Sequence, residues 1–246
     1  MSIAVVAIAK NEDRYIEEWV QYYLKLGFDK IYLYENNWKC LINHDNLIKI
    51  PFAGEQRQMP AYNHFLQTYA SKYDWAGFFD IDEVICLKKH NNIQSFLHDY
   101  DEFNGVALNW VMFTGKVNGR TVDYIDGDGA IKRFVYRETK QDVHCKFLLN
   151  LNKCGDVMID HPHFPRNITI VDTHKYPYTN VAQSVKPNIE IAQLNHYYYK
   201  TYPEFVDKCN NGRADVVGDR PVSLWNRQSN ELVEDYTAFN FLMGDE

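Results

Sequence analysis

The chain has 246 residues and a net charge of −7 at neutral pH, enough length to bury a sizeable core and no basic excess that would suit a nucleic-acid partner. Apolar residues make up 46% and charged residues 24%, the balance of a folded globular chain. The five cysteines, Cys40, Cys86, Cys145, Cys154 and Cys209, are scattered without a CxxC pair, which argues against a disulfide framework or a zinc site.

The first element is an apolar run, Ile3 to Ala9, which reads as a parallel strand buried on both faces. It has no basic region before it and runs straight into charge, so it is read as a strand and not as a signal peptide. No later stretch has the length to span a bilayer. With the unpaired cysteines, this points to a cytoplasmic protein and leaves peripheral membrane contact open. Asn11 then offers a helix N-cap, and Ile16, Trp19, Val20, Tyr23 and Leu24 recur at helical spacing until Gly27 closes the helix. Lys30 to Tyr34 completes a β-α-β unit that ends in Glu35-Asn36-Asn37.

A second helix is predicted from Met59 to Tyr73 and a third strand from Trp75 to Phe79, which runs into Asp80-Ile81-Asp82-Glu83. Ile93 to Tyr100 reads as a short helix and Gly105 to Phe113 as another buried strand. The polar, Gly-rich stretch up to Arg133 reads as a loop. Cys145 to Leu151 and Asp156 to Ile159 are strand candidates, and an amphipathic helix is expected from Pro203 to Asn211. The predicted fold class is α/β, Rossmann-like, with a mostly parallel central sheet flanked by helices. Within one domain, residues 1–105 would bind a nucleotide and 106–246 an acceptor, fused around one sheet.

Four constellations carry chemistry. Asp80 and Asp82 stand where a buried strand emerges, at the end of the sheet where α/β proteins bind ligands. Two carboxylates so placed can converge on one hard cation, Mg²⁺ or Mn²⁺, that would bridge the phosphates of a nucleotide sugar. The competing reading is an acidic turn that caps the next segment. Ala9, Asn11 and Glu12 at the end of the first strand, with Glu35 and Asn36 at the end of the second, would line the same crevice and meet base or ribose; plain helix capping by Asn11 is the alternative. Arg57 suits phosphate or base contact through its planar guanidinium, or is simply solvated. His196 would supply a nitrogen ligand beside the two aspartates, with His161 in the rival His161-Pro162-His163 pair, while Lys200, Lys208 and Arg213 could neutralise a diphosphate.

These pieces in this order resemble the GT-A glycosyltransferases of the family 2-like group, close to the domain of glycosyltransferase family 92. The matching stretches are AKNEDRYIEEWVQYYLKLGFDKIYLYENN at 9–37, QRQMPAYNHFLQTYASKYDWAGFFDIDEVI at 56–85, LNWVMFTG at 108–115, IKRF at 131–134 and NHYYYKTYPEFVDKCNNGRAD at 195–215. The resemblance implies a GT-A fold, a UDP- or similarly activated sugar donor, dependence on Mn²⁺ or Mg²⁺, and inversion at the anomeric carbon. The chain departs from the pattern at Phe113-Thr114-Gly115, at Thr201 and at Asn211-Gly212-Arg213, all on the acceptor side.

Transfer with inversion needs a carboxylate to take the acceptor proton. Asp215, which closes the NHY to GRAD stretch, is the expected base and Asp142 its alternate. The acceptor would be a glycan or lipid-linked. Three rival classes are weighed. A glycoside hydrolase would set its carboxylates well apart, unlike Asp80 and Asp82. A metal-dependent nucleotidyltransferase could also use paired aspartates after a strand, and a non-catalytic nucleotide- or sugar-binding module would need neither metal nor base.

Overall fold

The computed structural model describes residues 1–118, 120–121, 127, 129–184, 186–212, 218 and 220–244. In chain order the first elements are β1 (Ile3–Ala9), α1 (Ile16–Leu26), β2 (Lys30–Glu35), β3 (Leu47–Pro51), α2 (Gln58–Thr68), β4 (Trp75–Phe78), β5 (Glu83–Leu87) and α3 (Ile93–His98). There follow β6 (Gly105–Thr114), the short pair β7 (Lys116–Val117) and β8 (Arg120–Thr121), β9 (Tyr136–Glu138), β10 (Cys145–Asn150), β11 (Met158–His161) and β12 (Phe164–Arg166). The last are β13 (Thr169–Val171), β14 (Pro177–Thr179), β15 (Ala192–His196), α4 (Tyr202–Asn210), β16 (Leu232–Glu234) and α5 (Thr237–Met243).

The fold is α/β, built on one large sheet in the order β14-β13-β6-β10-β4-β1-β2-β3. β1 pairs in parallel with both β2 and β4, and β2 with β3, as the β-α-β reading requires. Beyond β4 the sheet turns mixed: β10 runs antiparallel to both β4 and β6. The expectation of a mostly parallel sheet therefore holds for the N-terminal strands only. β15 lies parallel to β6 and antiparallel to β5, and so returns the C-terminal part of the chain to the first half.

Burial on both faces explains the apolar strands. Ile3, Val5, Ala7 and Ala9 of β1 face the layer of α1 and α3, with Trp19, Tyr23 and Phe96. Ala4, Val6 and Ile8 face α2, with Tyr62, Phe65 and Phe78. Each large apolar side chain so buried contributes about 1.5–3 kcal/mol.

Several boundaries differ from expectation. Asn11 is not a helix cap: it sits in the left-handed region (φ 58°), and the carbonyl of Glu12 accepts the amides of Tyr15 and Ile16 instead, so α1 starts at Ile16. The second helix stops at Thr68 and is followed by a 3-10 turn, Ala70–Lys72. β5 begins inside the acidic motif itself, because Glu83 and Val84 pair with His196 and Asn195.

Candidate active site

The parallel strands β1, β2 and β4 end at one edge, where a cavity of about 960 Å³ opens. Ala9, Asn11, Glu12, Asn36, Asp80, Asp82, Asp142, His196 and Lys200 all line it, so most of the residues singled out from sequence meet in one cleft. Three do not. Glu35 is buried, and its carboxylate accepts the Cys40 amide at 2.9 Å, which fixes the turn after β2. Arg57 lays its guanidinium over the Phe52 ring, 4.4 Å from the centroid, and is not among the lining residues. Asp215, and Arg213 with it, lie outside the described residues.

Asp80 leaves β4 and is held on both oxygens. The Gln58 amide donates to one at 2.6 Å and the Lys146 ammonium to the other at 3.0 Å. Lys146 is almost wholly buried and also stands 3.5 Å from Glu83, which is fully buried and accepts the Asp80 amide. Burial disfavours the Lys146 charge, but the Asp80 and Glu83 carboxylates outweigh it and hold its pKa above the ordinary lysine value. Burial raises the Glu83 pKa as well, and Lys146 offsets this only in part. Neither Lys146 nor its role was anticipated, although a lysine inside the apolar run Cys145–Leu149 was a visible signal.

Asp82 faces the opposite wall. The ammonium of Lys208 donates to it from α4, and His196 Nε2 is 3.5 Å from the same oxygen. The Tyr197 amide donates to the Asp82 carbonyl at 2.8 Å, so the end of β15 is stitched to the turn. Burial alone would raise the Asp82 pKa, but Lys208, His196 and Lys200 hold it well below the ordinary value. Burial lowers that of His196, against the pull of Asp82.

Lys200 brings a buried ammonium to the same cleft. It adopts a left-handed backbone (φ 51°) and is 5% exposed, and its ammonium lies 3.6 Å above the Tyr15 ring. No hydrogen bond or ion pair holds that ammonium among the described residues. Burial lowers its pKa, opposed by Glu12 and Asp82. Glu12 in turn is pushed up to about 7 by burial, which Lys200 counteracts. Gly115 makes this placement possible, since a Cβ there would meet the Lys200 carbonyl oxygen at 2.3 Å.

The far side of the cleft is aromatic. Trp110 packs against His196, with centroids 4.2 Å apart, and against His144 at 5.3 Å. Asp142 accepts the ring Nδ1–H of His144 at 2.7 Å. Burial opposes the Asp142 charge, but its bonds from His144 hold its pKa below the ordinary value.

Two carboxylates on one turn and an imidazole are ligand chemistry that Mn²⁺ accepts and Mg²⁺ accepts in part. His196 also keeps a buried Nδ1 with no hydrogen-bond partner among the described residues. Among the described residues, however, no three acidic, His or Cys side chains are gathered into a closed cage. Asp82 and His196 are together, while Asp80 is turned toward Lys146. The chemistry of Asp82 and His196 suits such a cation, while Asp80 would have to turn from Gln58 and Lys146 to join them. His161 does not line the cleft, and His163 does, with its Nδ1 2.7 Å from the Cys145 carbonyl.

The fold and the cleft define an α/β protein with a strand-end site furnished with both carboxylates and buried ammonium groups. The chain belongs to glycosyltransferase family 92, whose model matches residues 45–226. It is 22% identical over 230 residues to a family 92 protein of Oryza sativa subsp. japonica, covering 89% of this chain and 37% of that protein. Relatives in Ricinus communis (19% over 237 residues, 93% and 40% covered) and Arabidopsis thaliana (18% over 251 residues, 95% and 40% covered) carry the same family name. The chain thus spans about two fifths of the length of these curated relatives. Among solved structures, A197 from STIV has a TM-score of 0.32 at 10% identity, covering 77% of this chain and 99% of that one. At that score the likeness carries no argument. No helix among the described residues is long and apolar enough to cross a membrane.

Proposed function

We propose that this chain moves a sugar from a nucleotide-sugar donor, with UDP as the expected nucleotide, to a glycan or lipid-linked acceptor, with inversion at the anomeric carbon. The observation that carries the reading is the Lys200 ammonium, buried in the cleft beside the Asp82 turn, stacked on Tyr15 and in no ion pair among the described residues. A desolvated cation without a partner is costly in a protein unless an anion comes to it. A diphosphate is such an anion, and Lys208 and Arg220 line the same cavity.

Ala9, Asn11, Glu12 and Asn36 would border base and ribose at the strand ends. Asp80, Asp82 and His196 would hold Mn²⁺ or Mg²⁺, and the cation would supply charge neutralisation on the departing diphosphate. Lys146 and Gln58 keep Asp80 oriented, and Lys208 is shared between Asp82 and the incoming phosphates. Five free cysteines suit a reducing, cytoplasmic setting, with peripheral membrane contact where the acceptor is a lipid.

The test is a hydrolysis screen against UDP- and GDP-sugars with added Mn²⁺, alongside calorimetric binding of UDP, GDP and nucleoside triphosphates. Turnover of one nucleotide sugar and Mn²⁺-dependent diphosphate binding are expected. A response confined to nucleoside triphosphates would replace this reading with nucleotidyl transfer, and binding without turnover would make the chain a binding module.

A further inference from the structure

We propose that the general base is His144, oriented by Asp142 as a positioning residue; this rests on the transferase reading above. Sequence alone pointed to carboxylates, Asp215 and Asp142. The structure gives Asp142 a different task. One of its oxygens accepts both the backbone amide of His144, at 2.8 Å, and the ring Nδ1–H, at 2.7 Å. This double bond to one residue fixes the ring's direction and puts its proton on Nδ1, which leaves the Nε2 lone pair as the basic site.

The segment is held on two sides. The His144 carbonyl accepts the Trp110 amide at 3.0 Å, and the Trp110 carbonyl accepts the Asp142 amide at 3.3 Å. Across from it, His144 bridges Gln183, and the Ser184 amide donates to the Val143 carbonyl at 2.7 Å. Both Asp142 and His144 line the cleft, each about one third exposed. The Trp110 ring packs against both His144 and His196, so the imidazole stands on the cleft wall next to the proposed cation site. On this reading the acceptor approaches along that wall. The only other titratable ring against His144 among the described residues is His163, at 5.6 Å. Burial, aided by Lys146, lowers its pKa to about 3 and keeps it uncharged.

The Gln183 amide, 2.9 Å from Nε2, now fills the position that an acceptor hydroxyl would take. Gln183 is exposed and free to yield. In the step, the acceptor O–H breaks and its proton passes to the Nε2 lone pair. The acceptor oxygen bonds to the anomeric carbon as the bond from that carbon to the diphosphate oxygen breaks. The bonding pair leaves with the diphosphate. The imidazolium so formed is paired with Asp142 and returns its proton to solvent.

The experiment uses the full chain, the donor panel above with water as acceptor, and UDP calorimetry. For His144→Ala, turnover should fall by about two to four orders of magnitude, the contribution of a positioned base, with donor KM and UDP affinity kept and with partial rescue by added imidazole. Asp142→Asn should lower kcat less and leave KM unchanged. Gln183→Ala should retain turnover, because it only clears the lone pair. Near-normal turnover in His144→Ala, or a loss that imidazole does not rescue, overturns the assignment. Wild-type protein that binds UDP but hydrolyses no donor overturns the transferase reading, and this one with it.

Discussion

Lys200 is where a single side chain decides most. Lys200→Met keeps the length and removes the charge, and should weaken UDP binding by about 1.5–3 kcal/mol, the range for a hydrogen bond to a charged group. Calorimetry reads it directly, and unchanged affinity would place the diphosphate elsewhere. Gly115→Ala should have a similar effect without touching any charge. Its methyl would collide with the Lys200 carbonyl at 2.3 Å and push the ammonium off its place. Arg57 should now behave differently from the expectation drawn from its guanidinium. Stacked on Phe52 and turned from the cleft, it should leave UDP affinity unchanged when replaced by alanine, at a cost to stability of about 0.5–1 kcal/mol. A residue's type was readable in the sequence here, but its direction was not, because direction depends on which neighbour fills the space beside it.

At the scale of the element, α4 carries the argument. Its N-terminus has a capping box between Thr201 and Glu204, with proline in the first turn. Glu204 is also the hub that docks the helix. Arg133 donates to its two oxygens at 2.6 and 3.0 Å, and the Tyr15 hydroxyl donates at 2.6 Å. Burial would raise the Glu204 pKa, but Arg133, Thr201 and Tyr15 hold it at about 2, below its ordinary 4.5. A depressed carboxylate stabilises the fold fully above its unfolded value and loses that contribution as pH falls through its folded one. Stability should therefore decline between about pH 5 and about pH 2 in wild type, and Glu204→Gln should flatten that decline in urea titrations. Arg133→Met leaves the Glu204 carboxylate to the more exposed Arg14, 3.4 Å away, and should cost about 1.5–3 kcal/mol, the range for a hydrogen bond to a charged group. That Arg133 folds onto α4 was not legible, since 71 positions separate it from Glu204 and its anchors are tertiary. Glu18, for example, accepts the Ala130 and Ile131 amides.

At the scale of the molecule, the first half of the chain was readable and the second much less so. Strands buried on both faces write continuous apolar runs, and β1, β2 and β4 were visible for that reason. β3, β9, β13, β14 and β16 are short and partly exposed, and the buried β5 and β15 carry polar residues such as Glu83, Gln193 and Asn195, so pairing sets them more than local pattern does. The strand ends also fixed the cleft in advance, which is why Asp80, Asp82, Asn11 and Lys200 could be named from sequence. The catalytic side could not, because the lone pair of His144 becomes a candidate only when Asp142, Trp110 and Gln183 are seen around it. The two halves are not separable units. β10 from the second half sits between β4 and β6, so a fragment of residues 1–105 would expose the full edge of β4. Such a fragment should lack near-ultraviolet dichroism and aggregate. A folded, soluble fragment would show that the parallel strands stand alone.

The contact between the two ends of the cleft rim has a further effect. Lys10 Nζ donates to the Asn211 carbonyl at 3.1 Å, and the Asn11 amide donates to the Asn211 side chain at 2.9 Å. The last turn of α4 is therefore fastened directly to the end of β1, over the mouth of the site. Amide protons in that turn can exchange with solvent only through a local opening that parts these groups. A ligand beneath them favours the fastened form by mass action, so its concentration sets how rarely the opening occurs. Amide exchange in α4 should slow as UDP is added and level off with the same midpoint as binding, while the β13–β14 hairpin at the far edge of the sheet exchanges at an unchanged rate.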